Sequence, residues 1–252
     1  MEKWNKSVAV VTGANAGNGF GIMKKLATAG ITVVGFDLNV ETIEKFKSEN
    51  KNLKVYSRIC DITKEAETEA AFNWVEKELG GVDIIVNNAG TVRLVGLLEH
   101  EKPMSELSLL IDLNFTSLVR CSRLAFKSMQ TRDSYGYIIN INSVLGHTVP
   151  DASTQFGVYP ATKFAITAAT ETMRKELLEM KNKKVRVTSL SPGAVHTNIF
   201  EAAKFSKETT DQVLSTPHLQ PDDIGETVAY LLSVPYHISI HELTVRAAGG
   251  DF

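Results

Sequence analysis

The chain has few of the features that mark a secreted, membrane-spanning or nucleic-acid-binding protein. Only two of its 252 residues are cysteines, Cys60 and Cys121, and they have neither the number of a disulfide framework nor the spacing of a metal site. The formal net charge is −2, so no basic excess favours nucleic acid. No apolar run is long enough to cross a bilayer, and no apolar signal segment precedes the first predicted strand. These absences predict a cytoplasmic protein without a metal site or a membrane span.

Short apolar runs alternate with longer amphipathic segments along the chain. Hydrophobic residues make up 43% and charged residues 22%, as in a globular domain with a substantial core. The pattern predicts strands within 7–13, 31–37, 54–61, 82–90, 136–142, 184–193 and 238–246, and helices over 17–30, 40–50, 65–79, 105–130, 159–181 and 221–233. Such alternation is typical of parallel βαβ units. We therefore predict a single α/β domain over 1–252, with a doubly wound, mostly seven-stranded parallel sheet and helices on both faces.

One segment, 195–220, does not fit the alternation. It follows the sixth predicted strand and has scattered polar residues but no hydrophobic strand. It is compatible with a plain surface excursion. Its position after the carboxyl end of a strand favours a lid over a substrate site.

A glycine-rich turn, TGANAGNG, connects the first strand to the first helix. Gly13, Gly17 and Gly19 have the spacing G-x-x-x-G-x-G, and Asn15 and Asn18 lie between them. Such a turn lets the backbone approach a pyrophosphate, which the N–H groups and positive dipole of the helix then bind. Tight packing alone is the alternative explanation. At the first βα junction of a doubly wound sheet, the turn favours a dinucleotide cofactor.

Acidic residues at the ends of the next two strands bear on the adenosine half of such a cofactor. Asp37 ends the second strand, where its carboxylate would accept hydrogen bonds from ribose hydroxyls and repel a 2′-phosphate. Its neighbours Ala16 and Leu38 are uncharged, so charge favours NAD over NADP. Capping of a turn by Asp37 is the alternative. Asp61, with Ile62, either contacts the adenine or caps the next helix, and the sequence leaves both open.

Five motifs follow the glycine turn in a characteristic order: NNAG at 87–90, Asn114 within a long helix, Ser143 after the fifth strand, YPATK at 159–163 and SPG at 191–193. In this order and spacing the chain resembles the short-chain dehydrogenase/reductase family over nearly its whole length. Its final segment is similar to the farnesol dehydrogenase-like branch of that family. Asn18 occupies a position where the family usually has isoleucine.

Tyr159 and Lys163 are four residues apart, which places them on one face of a helix. A positive lysine beside a phenol stabilises the phenolate and lowers its pKa. We therefore interpret Tyr159 as the acid/base, Lys163 as the charge that tunes it, and Ser143 as a second donor to the substrate oxygen. The resemblance implies that Lys163 also holds the nicotinamide ribose and that Asn114 positions a water. Taken singly, these residues have plain structural explanations: a surface contact, an N-cap and a core amide.

The remaining cofactor contacts are implied by the resemblance. The NNAG motif, with Asn88, Ala89 and Gly90, is expected to line the cleft on the adenosine side, or to be purely structural. The segment after the sixth strand is expected to turn the chain beside the nicotinamide through Pro192, Gly193, Val195 and Thr197.

The substrate is predicted from the apolar character of the segments around these motifs. The expected pocket wall comprises Val92, Leu94, Val95, Leu145, Val149, Phe156, Ile199, Phe200 and Phe205. It has no cluster of basic residues to bind a phosphate, so an apolar alcohol, ketone or aldehyde fits. The alternatives are an NADP-dependent carbonyl reductase and a catalytically silent nucleotide sensor. The family resemblance implies a homodimer or homotetramer.

Overall fold

A sheet of seven parallel strands forms the centre of the computed structural model, which describes residues 2–151, 156–199, 203, 205, 207, 210–211 and 215–250. The strands are β1 (Val8–Thr12), β2 (Thr32–Asp37), β3 (Val55–Ile59), β4 (Ile84–Asn87), β5 (Gly136–Ile141), β6 (Val185–Pro192) and β7 (Glu242–Val245). Their order is β3-β2-β1-β4-β5-β6-β7, and every neighbouring pair is parallel. The predicted α/β fold class is confirmed.

Helices connect the strands and cover the sheet. They are α1 (Gly17–Thr28), α2 (Glu41–Glu49), α3 (Glu65–Leu79), α4 (Met104–Ile111), α5 (Ser117–Thr131), α6 (Tyr159–Glu179) and α7 (Pro221–Ser233). Helix α7 begins at the predicted proline, where the missing N–H is not needed. Helix α6 begins at Tyr159, as the sequence predicts.

The single long helix predicted over 105–130 is interrupted by a wider turn. Between α4 and α5 the chain forms a π-helical segment, Asp112–Thr116, with Asn114 at its centre. A π-helical turn inserts an extra residue into the ladder and is frequent at functional sites. Hydrophobic periodicity does not report such a local change, because the chain continues as a helix on both sides.

Two apolar layers lie on opposite faces of the sheet. On one face Ile22 of α1 and Val228 of α7 pack against the sheet in one core cluster. On the other face Phe72 of α3, Met129 of α5 and Leu177 of α6 form a second cluster. The strand order changes direction between β1 and β4, which opens a crevice at the carboxyl ends of these strands. The glycine turn follows β1 at this crevice, and the NNAG motif follows from the end of β4.

The segment proposed as a lid is described only in part, and Phe200 lies outside the described residues. Its two ends are joined, because Val195 pairs with Leu219 in an isolated parallel bridge. Within it, the ring of Phe205 lies 5.9 Å from the ring of Phe156, three residues before Tyr159. This part of the segment therefore lies beside the start of helix α6.

Candidate active site

The glycine turn forms a cradle at the carboxyl end of β1. Gly13 and Gly17 have φ angles of +64° and +49°, which favour glycine. A Cβ at Gly19 would overlap the carbonyl oxygen of Gly13, and one at Gly13 would lie 2.9 Å from Cα of Ala89. Within the described residues, α1 has no side-chain cap at its N-terminus, and its first turn contains no acidic residue. The first N–H groups of the helix are thus not bonded to a side chain, as an anion site requires.

Asn15 connects the cradle to the end of β2. Its backbone N–H donates to Oδ2 of Asp37 at 2.9 Å. Its side-chain Oδ1 accepts from the N–H of Thr42 at 2.9 Å and of Ile43 at 3.3 Å, at the start of α2. Asp37 also accepts from the N–H of Asn39 at 3.3 Å. Asp37 therefore stabilises a turn, and each oxygen makes one of these bonds and keeps capacity for another acceptor interaction.

The other residues predicted near the adenosine differ in exposure. Leu38 is 70% exposed beside Asp37, whereas Ile62 is 6% exposed and its side chain packs in the core. Oδ1 of Asp61 accepts from the N–H of Thr63 at 3.0 Å and from its hydroxyl at 2.7 Å. Asp61 thus stabilises its own turn. It does not cap α3, because Lys64 occupies the N-cap position of that helix.

The NNAG motif is bonded to the glycine turn through Thr12, a residue that sequence reasoning missed. The Thr12 hydroxyl accepts from the N–H of Asn88 at 3.0 Å and of Ala89 at 3.1 Å. The Asn88 amide donates to the carbonyls of Thr12 at 2.9 Å and Gly13 at 3.1 Å. These bonds join the exits of β1 and β4. Gly90, the last residue of the motif, lies beside Asn114: a Cβ at position 90 would be 3.2 Å from Oδ1 of Asn114.

The segment after β6 returns to the glycine turn. Pro192 ends β6, and the N–H of Gly193 donates to the carbonyl of Val245 at 2.8 Å. A Cβ at Gly17 would lie 3.2 Å from Cγ2 of Thr197. Thr197 therefore lies directly against the cradle, and the structure brings these separate motifs together.

Ser143, Tyr159 and Lys163 meet where β5 ends and α6 begins. The side chains of Ser143 and Tyr159 lie close enough to affect each other electrostatically. Ser143 Oγ also accepts from the N–H of Leu145 at 3.1 Å and caps the short turn Val144–Gly146, so its catalytic and capping interpretations are compatible. Nζ of Lys163 lies 5.5 Å from the centroid of the Tyr159 ring and donates to the carbonyl of Ile141 at 2.9 Å.

Burial sets the direction of the pKa shifts of both Tyr159 and Lys163. Burial raises the pKa of Tyr159 to about 12, and the neighbouring Ser143 side chain offsets only part of this rise. Burial also lowers the pKa of Lys163 to about 7. The pKa of Tyr159 is thus not lowered as expected in this structure, because loss of hydration destabilises the charged form of each group. That Lys163 tunes Tyr159 during catalysis stays a prediction.

Asn114 is buried, with 1% exposure, and its amide bonds to two elements of the site. Nδ2 donates to the carbonyl of Thr91 at 2.9 Å and to Oγ1 of Thr162 at 3.2 Å, and Oδ1 accepts from the N–H of Thr91 at 2.9 Å. Thr162 lies between Tyr159 and Lys163 in sequence. Asn114 thus connects the exit of β4 to the catalytic helix.

The expected pocket wall divides into buried and exposed parts. Val92, Val95 and Leu145 are 3%, 2% and 6% exposed and belong to the packed interior. Val149 is 58% exposed, and Arg93 is an exposed loop residue. The aromatic pair Phe156 and Phe205 remains beside the catalytic helix.

Gly157 is a further residue that sequence reasoning missed. It has φ +52°, and a Cβ at this position would overlap the carbonyl oxygen of Val95. The loop after β4 therefore lies directly against the residue two positions before Tyr159. A glycine just before YPATK was the only available signal, and it does not reveal its distant contact.

The site fits a dinucleotide by its own geometry. The cradle has room only for glycine, the N-terminus of α1 is open to an anion, and an acid lies at the end of β2. Within the described residues, no group of three or more metal-binding side chains is found, and no helix has the length and apolarity to cross a membrane.

Comparison with known proteins agrees with this site. The family model described as short chain dehydrogenase matches residues 7–208. The chain is 41% identical over 257 residues to farnesol dehydrogenase of Aedes aegypti, covering 100% of both chains. It is 36% identical to dehydrogenase/reductase SDR family member 11 of Homo sapiens, covering 98% of this chain and 96% of that protein. The closed form of serine dehydrogenase complexed with NADP+ superposes with a TM-score of 0.85 at 26% identity, over 97% of this chain and 96% of the other.

The chain belongs to the short-chain dehydrogenase/reductase family. It is therefore an oxidoreductase of that family, with relatives and structural neighbours that act on small molecules and bind nicotinamide nucleotides. The predicted resemblance is confirmed, including its similarity to the farnesol dehydrogenase-like branch.

Proposed function

We propose that this protein transfers a hydride between NAD(H) and an apolar alcohol or its ketone or aldehyde, such as a terpenoid or a steroid, with Tyr159 as the acid/base. The observation that carries the proposal is that the side chains of Ser143 and Tyr159 come together beside the buried amine of Lys163. The names of two relatives, a farnesol dehydrogenase and a dehydrogenase/reductase, support the reaction class.

The chain's own residues manage the proton. With its pKa raised to about 12, Tyr159 is protonated near neutral pH and donates its proton to the carbonyl oxygen during reduction. Ser143 donates a hydrogen bond to the same oxygen as charge develops there. Lys163, when protonated, stabilises the phenolate that remains. During oxidation the phenolate takes the hydroxyl proton of the alcohol. A bound nicotinamide supplies or accepts the hydride.

The glycine cradle and Thr197 would both contact the cofactor. Gly13, Gly17 and Gly19 would receive its pyrophosphate, and Asp37 its adenosine ribose. The carboxylate of Asp37 supports NAD, because it would repel a 2′-phosphate. The solved serine dehydrogenase was complexed with NADP+, so an NADP-dependent carbonyl reductase is the second candidate.

Turnover of a panel of apolar alcohols and ketones, followed by NADH absorbance, tests the reaction. Replacing Tyr159 with phenylalanine should lower kcat at least about 100-fold, because general acid–base catalysis contributes that much or more. Tyr230→Phe is a matched control, since Tyr230 is 54% exposed on α7. Undiminished turnover in Tyr159→Phe would rule out Tyr159 as the acid/base. Cofactor binding without turnover of any substrate would favour the alternative function, a catalytically silent nucleotide sensor.

Direct titration with NADH and NADPH tests the cofactor. The unmodified protein should bind NADH more tightly than NADPH. In Asp37→Ala the difference between the two affinities should be smaller. Because Asp37 also accepts from Asn15, the variant should be compared with Asp37→Asn, which keeps an acceptor and removes the charge. Tighter binding of NADPH by the unmodified protein would overturn the charge argument.

The proposed assembly is a homodimer, or a tetramer built from such dimers. A groove of about 710 Å³ lies between α5 and α6, lined by apolar residues such as Phe115, Val119 and Ala168. The family resemblance assigns subunit pairing to these helices. Light scattering should show that the unmodified protein is a dimer and that Ala168→Glu, which places a charge in this groove, is a monomer. A monomeric unmodified protein would refute the proposed assembly. The cytoplasmic location stays a prediction.

A further inference from the structure

Two Asn–Thr pairs of the same chemistry connect β5 to α6. Nδ2 of Asn142, the residue after β5, donates to Oγ1 of Thr167 at 2.8 Å, and Nδ2 of Asn140 donates to Oγ1 of Thr170 at 2.9 Å. Both asparagines face α6, because side chains two residues apart point to the same side of a strand. Both are buried, with exposures of 4% and 0%. The pairs differ in their distance from the catalytic end of the helix.

The Asn142–Thr167 pair lies among the catalytic residues. Asn142 directly precedes Ser143 in the chain. The Thr167 hydroxyl lies 3.0 Å from the carbonyl of Gly146, which ends the turn capped by Ser143, and 3.3 Å from the carbonyl of Lys163. A displacement of this pair would therefore reach both Ser143 and Lys163.

Packing around this pair leaves no room for movement. A Cβ at Gly146 would lie 2.7 Å from both Nδ2 and Oδ1 of Asn142, and 2.9 Å from the carbonyl of Lys163. Nζ of Lys163 donates to the carbonyl of Ile141, the residue before Asn142, at 2.9 Å. The catalytic amine and the turn of Ser143 are thus both in contact with the segment around Asn142.

The two asparagines also differ in the pairing of their side-chain oxygens, although Nδ2 of Asn142 makes a second bond, to Oγ of Ser189 at 3.1 Å. Oδ1 of Asn140 accepts from Nδ2 of Asn87 at 2.9 Å. Oδ1 of Asn142 is buried and has no partner in the part of the chain that the structure describes. An unpaired buried carbonyl costs stability. Stability therefore explains Asn140 better than it explains Asn142.

We propose that Asn142 and Thr167 are positioning residues for catalysis, which place the Ser143 hydroxyl and the Lys163 amine relative to Tyr159. The Asn140–Thr170 pair, nearer the middle of the strand, packs the helix against the sheet without this role. The proposal rests on the proposed function, in which Ser143, Tyr159 and Lys163 act together. Small misplacements of catalytic groups are costly, since a shift of about 1 Å can reduce a rate about 100-fold.

The two pairs provide a matched experiment. Thr167→Val and Thr170→Val each remove one hydroxyl from the same helix face and should both lower Tm. Thr167→Val should lower kcat at least about 10-fold with KM changed less than about 2-fold, whereas Thr170→Val should change kcat less than about 2-fold. Thr167→Ser, which restores the hydroxyl, should recover most of kcat. Equal losses of kcat in the two valine variants would overturn the proposal.

A second readout separates this proposal from the proposed function. The titration of Lys163 can be followed by NMR of the protein containing ¹³C-labelled lysine, with the signal assigned by its loss in Lys163→Met. Thr167→Val should raise the midpoint by at least about one pH unit, because a loosened amine regains hydration. Thr170→Val should leave it in place. An unchanged midpoint in Thr167→Val, or equal shifts in both variants, would overturn the positioning role even if the protein turned over no substrate.

Discussion

Gly157 lies so close to the carbonyl oxygen of Val95 that a Cβ atom at position 157 would overlap it. Val95 is buried with Leu107, Leu110 and Val158 in a small apolar cluster beside the catalytic helix. The contact therefore joins the loop after β4 to the start of α6.

Gly157→Ala should lower both stability and activity. The added methyl group forces the loop away, and φ +52° is unfavourable for alanine, so we expect a loss of about 1–3 kcal/mol in the free energy of unfolding. Gly96→Ala is the control, since its Cβ would meet Glu99 at an ordinary 3.4 Å. Urea unfolding of both variants checks the prediction. Equal free energies of unfolding in Gly157→Ala and Gly96→Ala would show that the loop after β4 moves away from position 157 at little cost.

Thr12→Val should separate the NNAG motif from the glycine turn. The change keeps the side-chain shape but leaves the N–H groups of Asn88 and Ala89 without their acceptor. A loss of about 1–3 kcal/mol in the free energy of unfolding and weaker NADH binding are expected. Thr12→Ser should restore both. If the valine variant bound NADH normally, the motif would not shape the cofactor cleft.

Replacing Lys163 with methionine should change how stability depends on pH. The pKa of Lys163 is about 7 in the folded protein, against an ordinary lysine pKa of 10.5 in the unfolded chain, so between these values the unfolded chain binds more protons. The unmodified protein therefore gains stability as pH rises through this window. Lys163→Met removes this gain. Its stability relative to the unmodified protein should fall by about 2 kcal/mol from about pH 7 to pH 9.

Urea unfolding at the two pH values measures this change, and Lys77→Met, at a lysine whose side chain is 83% exposed, controls for the substitution itself. A pH-independent difference between Lys163→Met and the unmodified protein would show that the amine is not penalised by burial.

Phe205→Leu should weaken binding of apolar substrates. The ring of Phe205 lies 5.9 Å from that of Phe156, beside the start of the catalytic helix, so its loss removes apolar surface from the proposed lid. KM for apolar ketones should rise about 3- to 10-fold with kcat changed less, because about 1 kcal/mol of contact is lost. Phe205→Tyr keeps the ring and should behave like the unmodified protein. An unchanged KM in Phe205→Leu would show that this part of the proposed lid does not contact the substrate.

Much of the architecture was predictable from local chemistry. The seven apolar runs became the seven strands, and helix boundaries at Tyr159 and Pro221 agree with the predicted ones. The glycine turn, Ser143 and YPATK could be placed at one edge of the sheet, because parallel strands bring their carboxyl ends together. These features depend on residue type and spacing, which the sequence displays directly.

By itself, the sequence determined the fold class, the family and many of the residues that meet at the site, but not Thr12 or Gly157. Only the tertiary structure decided the electrostatics and the fine placement of those residues. Burial raises the pKa of Tyr159 and lowers that of Lys163, contrary to the expectation from their spacing alone. The contacts Asn142–Thr167 and Gly157–Val95 join residues 25 or more positions apart. Hydration and long-range contact depend on which segments pack together, and periodicity along the chain carries no direct record of that.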